Sequence, residues 1–89
     1  MKIIAVCGLG QGTSLILRMN VEDVVRELNL DADVDHMDVS SAAGQRADVI
    51  ITSPQLAPLL AGHKARVLVV SSFLNKAEIK KVMQEYMQS

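Results

Sequence analysis

The chain has 89 residues, 49% of them apolar, with Phe73 and Tyr86 as its only aromatics, so its core must be aliphatic. A net charge of −1 supplies no basic footprint for nucleic acid or an anionic membrane surface. One cysteine excludes an internal disulfide and fits a reducing compartment, and no apolar run approaches the ~18–20 residues of a membrane span.

This length reads as one domain over residues 1–89. Lys2 to Val6 is a short apolar run that stops at a glycine-rich loop, which predicts a strand buried on both faces of a parallel sheet. The run is too short for a signal-peptide core, and a cytoplasmic chain is expected. From about Thr13 to Asn29 the period changes. Leu17, Val21, Val24, Val25 and Leu28 form one helical stripe, with Thr13 or Gly12 as N-cap. Arg18, Glu22 and Arg26 make a ladder of opposite charges at i,i+4.

Ala32 to Val39 alternates weakly and carries Asp33, Asp35, His36 and Asp38, as an edge strand does. Ser40 to Arg46 reads as a polar connector. Val49-Ile50-Ile51 is a further continuous apolar strand. Pro54 then marks the first turn of a short helix, with Leu56, Leu59 and Leu60 on one side and Pro58 limiting its length. Arg66 to Val70 predicts the last buried strand. Asn75 to Gln88 predicts a closing helix with Ile79, Val82, Met83 and Tyr86 as its stripe.

This alternation gives an α/β three-layer sandwich: a four-stranded parallel sheet in the order 2-1-3-4, with right-handed crossovers and helices on both faces. Ligands bind such sheets beyond the carboxyl ends of the strands, at the switch point between strands 1 and 3. That point is the loop Cys7-Gly8-Leu9-Gly10-Gln11-Gly12-Thr13-Ser14. Its glycines let backbone N–H groups turn inward around an anion, and the following helix adds its dipole. The same field favours thiolate over thiol at Cys7, as nucleophilic attack on phosphorus requires. Ser40 and Ser41, Thr52 and Ser53, and Ser71 and Ser72 fall after strands 2, 3 and 4, at the same edge. They read either as further hydroxyl donors or as ordinary turn and cap residues.

Other uses of such a loop fit less well. Thr13 stands where a dinucleotide fingerprint needs its third glycine, and no lysine is present for a Walker A loop. A low-molecular-weight tyrosine phosphatase uses Cys-x5-Arg, but Thr13 again occupies the decisive position. Without that guanidinium, bidentate stabilisation of a transferring phosphoryl group is lost. A small cysteine-dependent phosphatase and a non-catalytic anion-sensing module stand as the alternatives to a phosphoryl carrier.

The segment Lys2 to Ser14 closely resembles the start of the enzyme IIB components of the bacterial phosphoenolpyruvate-dependent sugar phosphotransferase system. Gly-Gln-Gly-Thr-Ser is most similar to the L-ascorbate branch, and the resemblance extends to Ala47–Ser53. It implies that Cys7 accepts a phosphoryl group from a phosphohistidine of the IIA component. Cys7 then donates it to a sugar or sugar acid bound by the membrane component IIC, which brings a cytoplasmic subunit to the inner membrane. Gly8, Leu9, Gly10, Gln11, Gly12, Thr13 and Ser14 would form the phosphate-binding loop. No metal or other cofactor is implied.

On the helical wheel Leu15 and Met19 point away from the core stripe and Ile16 lies well to its side. This reads either as a docking face for IIA and IIC beside the loop or as a surface covered by a neighbouring loop or the early helix turn. His36 and His63 read as solvated or structural. Lys76, Lys80 and Lys81 read as a solvated helix face, and Met37, Met83 and Met87 as core or core-edge filler.

Overall fold

A computed structural model describes residues 1–7 and 11–88, without the side chains of 11–14. The elements run β1 (Lys2–Val6), α1 (Gln11–Glu27), β2 (Asp33–Met37), α2 (Val39–Ala43), β3 (Val49–Thr52), a 3₁₀ turn (Ala57–Leu60), β4 (Arg66–Val69) and α3 (Lys76–Gln88). The strands form a parallel sheet in the order β2-β1-β3-β4, as expected.

Period-2 alternation divides the apolar residues of the sheet between two cores. Ile3, Ala5, Val49, Ile51 and Leu68 face α1 and α3, joined by Leu17, Val21 and Val24 and by Ile79 and Met83. Ile4, Val6 and Ile50 face the other way, onto Ala42 of α2 and Leu60 of the 3₁₀ turn. β1 and β3 are buried on both faces because each has a strand on either side and a layer above and below. That is why both read as unbroken apolar runs.

Several boundaries differ from the sequence reading. Helix α1 already starts at Gln11, so Gly12 and Thr13 lie inside its first turn and neither is the N-cap. Its far end is closed by Asn29 at φ 56, with Leu30 N donating to Val25 O and Asn29 N to Arg26 O. This is a Schellman closure, in which asparagine tolerates the left-handed conformation. The charge ladder is half made. Arg18 pairs with Glu22, but Arg26 turns to Asp23, one residue nearer on the same surface.

β2 ends at Met37, and helix α2 takes Val39 from the end of the expected edge strand and the first half of the polar connector. It is capped by Asp38, whose Oδ1 accepts from Ser41 N at 2.8 Å. The chain turns at Pro54 as predicted, with Leu56 N and Ala57 N donating to Ser53 O. The 3₁₀ helix follows from Ala57, with Pro58 in its first turn, where its missing N–H costs nothing. Leu60 is buried there but Leu59 is exposed. β4 is an edge strand whose Arg66 and Val69 face solvent, so it is not buried throughout. Met83 is core, whereas Met87 is exposed.

Candidate active site at the carboxyl ends of the strands

Cys7 directly follows β1 at the switch point, flanked by β2 on one side and β3 on the other. It is buried, and its backbone N–H donates to Met37 O at the end of β2, at 3.4 Å. On the β3 side the buried Thr52 Oγ1 donates to Val6 O at 3.1 Å. The residue before Cys7 is thus tied by a side chain just where the β1–β3 ladder runs out. Gly8, Leu9 and Gly10 lie outside the described residues, as do the side chains of Gln11, Gly12, Thr13 and Ser14. The backbone of these last four forms the first turn of α1, so the helix begins four residues after Cys7.

Thr52, Ser71, Ser72 and Ser41 at this edge bond within the scaffold. Thr52 completes the ladder to β1. Ser71 donates its N–H and its Oγ–H to the Glu78 carboxylate, and Ser72 N donates to Glu78 as well. These bonds, the Ser71 backbone first, hold Glu78 below the usual carboxylate range. Ser72 Oγ accepts from Leu74 N, and the hydroxyl and N–H of Ser41 depress Asp38 in the same way. Ser41, Ser71 and Ser72 thus make turn and cap bonds, whereas Thr52 bonds across the sheet to β1.

Both histidines have structural partners. His36 Nδ1 lies 3.3 Å from Arg18 Nη1, bridging β2 to α1. His63 Nδ1 accepts from Ala65 N, which leaves Nε2 to donate to Ala42 O and Gln45 O and so hold the end of α2. An open cleft of about 670 Å³, lined by Lys2, Arg46, Asp48 and Lys64 among others, lies at the opposite, amino-terminal edge of the sheet. No group of three His, Cys, Asp or Glu residues is placed to hold a metal among the described residues. Among them, too, no helix is long and apolar enough to cross a membrane.

Three exposed apolar side chains border the site. Leu15, Ile16 and Met19 are 46%, 43% and 55% exposed on the first turns of α1, while Leu17 between them is fully buried. Sequence reasoning found this face from the helical period. It missed a contact beside it: Asn20 Nδ2 donates to Phe73 O at 2.7 Å, across 53 residues. No local signal announces that bond. Asn75-x-x-Glu78 has the spacing of a capping box, and Asn75 Oδ1 does accept from Glu78 N. The Glu78 carboxylate, however, goes to Ser71 and Ser72, which that spacing does not announce.

Residues 2–85 match the family of lactose/cellobiose-specific IIB subunits of the phosphotransferase system. The chain belongs to this IIB family. Among its relatives, the ascorbate-specific EIIB component of Mycoplasma pneumoniae is 32% identical over 88 residues, covering 96% of this chain and 93% of the relative. The ascorbate-specific component of Shigella dysenteriae serotype 1 is 33% identical over 93 residues, covering 96% and 91%. That of Shigella sonnei reaches 40% over a shorter 58 residues, or 63% and 57%. Membership makes this IIB chain a component of sugar phosphotransfer with a phosphotransferase role.

Proposed function

We propose that Cys7 is the phosphoryl acceptor of this IIB protein and that residues 1–89 act as one carrier domain. The observation that carries the reading is the position of Cys7, at the carboxyl end of β1 with the 17-residue helix α1 starting four residues on. The thiolate attacks the phosphorus of a phosphohistidine on IIA. An S–P bond forms as the P–N bond breaks, and the imidazole leaves with the electron pair and regains a proton. In the second step a hydroxyl of the sugar or sugar acid held by IIC attacks the same phosphorus. The O–P bond forms as the S–P bond breaks, the electron pair returns to sulfur as the thiolate, and the hydroxyl proton is released to solvent.

The loop amides from Gly8 to Ser14, backed by the helix dipole, steady the charge of the phosphoryl group in both transfers. Thr13 in place of an arginine supports carriage over hydrolysis. The ascorbate-specific relatives support L-ascorbate as the acceptor delivered by IIC. The exposed Leu15, Ile16 and Met19 serve as the docking face for the partner proteins. The protein works in the cytoplasm and meets the inner membrane through IIC.

The test is phosphorylation of the full chain by phosphoenolpyruvate, the general transfer proteins and an ascorbate-branch IIA, followed by mass spectrometry. One phosphoryl group is gained, and Cys7→Ser abolishes the gain. Labelling that survives this substitution defeats the reading. Rapid Cys7-dependent hydrolysis of an aryl phosphate would instead favour a phosphatase.

A further inference from the structure

The sheet ends in two edge strands, β2 and β4, and they are finished differently. β2 carries Asp33 and Asp35, and Asp35 Oδ1 accepts from His36 N at 2.8 Å, so carboxylates and a filled donor blunt that side. β4 reads Arg66-Val67-Leu68-Val69, with its one charge at the start. Arg66 N donates to Asp48 O and Val70 N to Thr52 O, in parallel register with β3. Alternation along the strand turns Leu68 toward β3 as well. It turns the N–H and C=O of Val67 and Val69 outward, where no further strand follows.

The outward donors on either side of these two are already taken. Ala65 N is held by His63 Nδ1 at 2.9 Å, and Ser71 N by the Glu78 carboxylate at 3.0 Å. Among the described residues nothing takes the N–H of Val67 or Val69. The pattern is symmetric about Leu68, with open donors at the adjoining residues and filled donors at Ala65 and Ser71. A second β4 related by a two-fold axis at Leu68 runs antiparallel to the first. It sets Val67 opposite Val69 of the other copy, and Val69 opposite Val67. Each of those pairs exchanges both of its hydrogen bonds, so every open group of both residues is used. The next such pair, Ala65 with Ser71, finds its donors filled, and the pairing stops.

The side chains match the same arrangement. Val67 packs partly buried against the core under α2, while Val69, on the same face, is 40% exposed. Each Val69 comes directly across from the other copy's Val67, where cross-strand apolar pairs stabilise. On the opposite face Arg66 is exposed and has no ion pair among the described residues. It comes across from Val70, next to the Ser71 that Glu78 holds. Lys81 acts on Glu78 through space but forms no ion pair with it among the described residues. The cation at the start of each strand thus meets the carboxylate at the end of the other, a complementarity that parallel addition lacks.

We infer that β4 is a self-association edge, through which two copies of this chain pair antiparallel about Leu68 into one continuous sheet. The inference does not depend on the role of Cys7, since β1 lies two strands in from the joint. A four-residue edge buries little surface, so the pairing is weak and shows at high concentration.

The test is sedimentation equilibrium of the full chain, with reductant present, from about 10 μM to about 1 mM, joined to amide hydrogen exchange by NMR over the same range. The native chain shows a dimer fraction that rises with concentration. Exchange at Val67 and Val69 slows in step with it, while Leu68 and Val70 are protected throughout. Val69→Lys sets an ammonium against Val67 of the second copy, at a position already in water, and weakens association at least about tenfold. Val69→Pro removes an outward donor without touching the ladder to β3 and acts in the same direction. Val69→Thr keeps near-native association. A native chain that stays monomeric at about 1 mM overturns the inference. So does a dimer indifferent to Val69→Lys, or exchange at Val67 and Val69 that ignores concentration. Protection of these amides only on adding IIA gives the edge to that partner and overturns it equally.

Discussion

Thr52 Oγ1 donates a hydrogen bond to Val6 O, 46 residues away, and so fastens the last turn of the sheet ladder one peptide short of Cys7. Both residues are fully buried, so the bond is made where water cannot replace it. A threonine that reads in sequence as a turn hydroxyl thereby sets where the cysteine of the site begins.

Replacing Thr52 by the near-isosteric valine removes the donor and leaves the shape. Thr52→Val is expected to lower unfolding free energy by about 1–2 kcal/mol, and Thr52→Ser by less. Urea denaturation monitored by circular dichroism measures both. If the bond also positions Cys7, the valine variant accepts a phosphoryl group more slowly than the serine variant.

Asn29 ends α1 at φ 56, a conformation that β-branched residues adopt only under strain. Asn29→Val should cost about 1–2 kcal/mol, whereas Asn29→Gly should stay close to the native value. An unchanged denaturant slope would show that the loss lies in the folded state.

Glu78 is held below its ordinary value of 4.5 by Ser71 and then Ser72. A carboxyl depressed in the folded state adds stability that is fully present above the unfolded value. That stability is lost as pH falls through the folded value. The Tm difference between the native chain and Glu78→Gln should therefore be greatest above pH 4.5 and shrink as the pH is lowered further. Thermal scans at matched ionic strength measure the difference.

Leu15 and Met19 are exposed, so their loss should hardly touch the fold. The double variant Leu15→Ser, Met19→Ser is expected to unfold within about 0.5 kcal/mol per site of the native chain. Phosphoryl transfer from IIA should nonetheless slow, because the docking face proposed beside Cys7 has been made polar. Paired stability and transfer measurements separate the two effects.

Much of this was legible because local chemistry and global fold agree. The runs Ile3–Val6 and Val49–Ile51 identify the two central strands, since only strands covered on both faces can be apolar throughout. The stripe Leu17, Val21, Val24 identifies the buried side of α1, and its complement gives the exposed Leu15, Ile16 and Met19. Helix α2 was less legible, because five residues give too short a window for a helical period to emerge. The exposed edge of β4 was missed for another reason. Val67 to Val70 is as apolar as β3, and only its place at the end of the sheet leaves Val69 in water.

Cys7 returns to the same distinction. The sequence by itself determined that a lone cysteine follows a buried strand and precedes three glycines and a helix, because those are local properties of the chain. Only the tertiary structure decided that β2 and β3 would flank it, with Met37 and Thr52 making the flanking bonds. The same holds for the Phe73–Leu74 turn, brought to α1 by Asn20. Hydrogen bonds that span 30 to 53 residues leave no periodic trace, because their partners meet only after the core has closed.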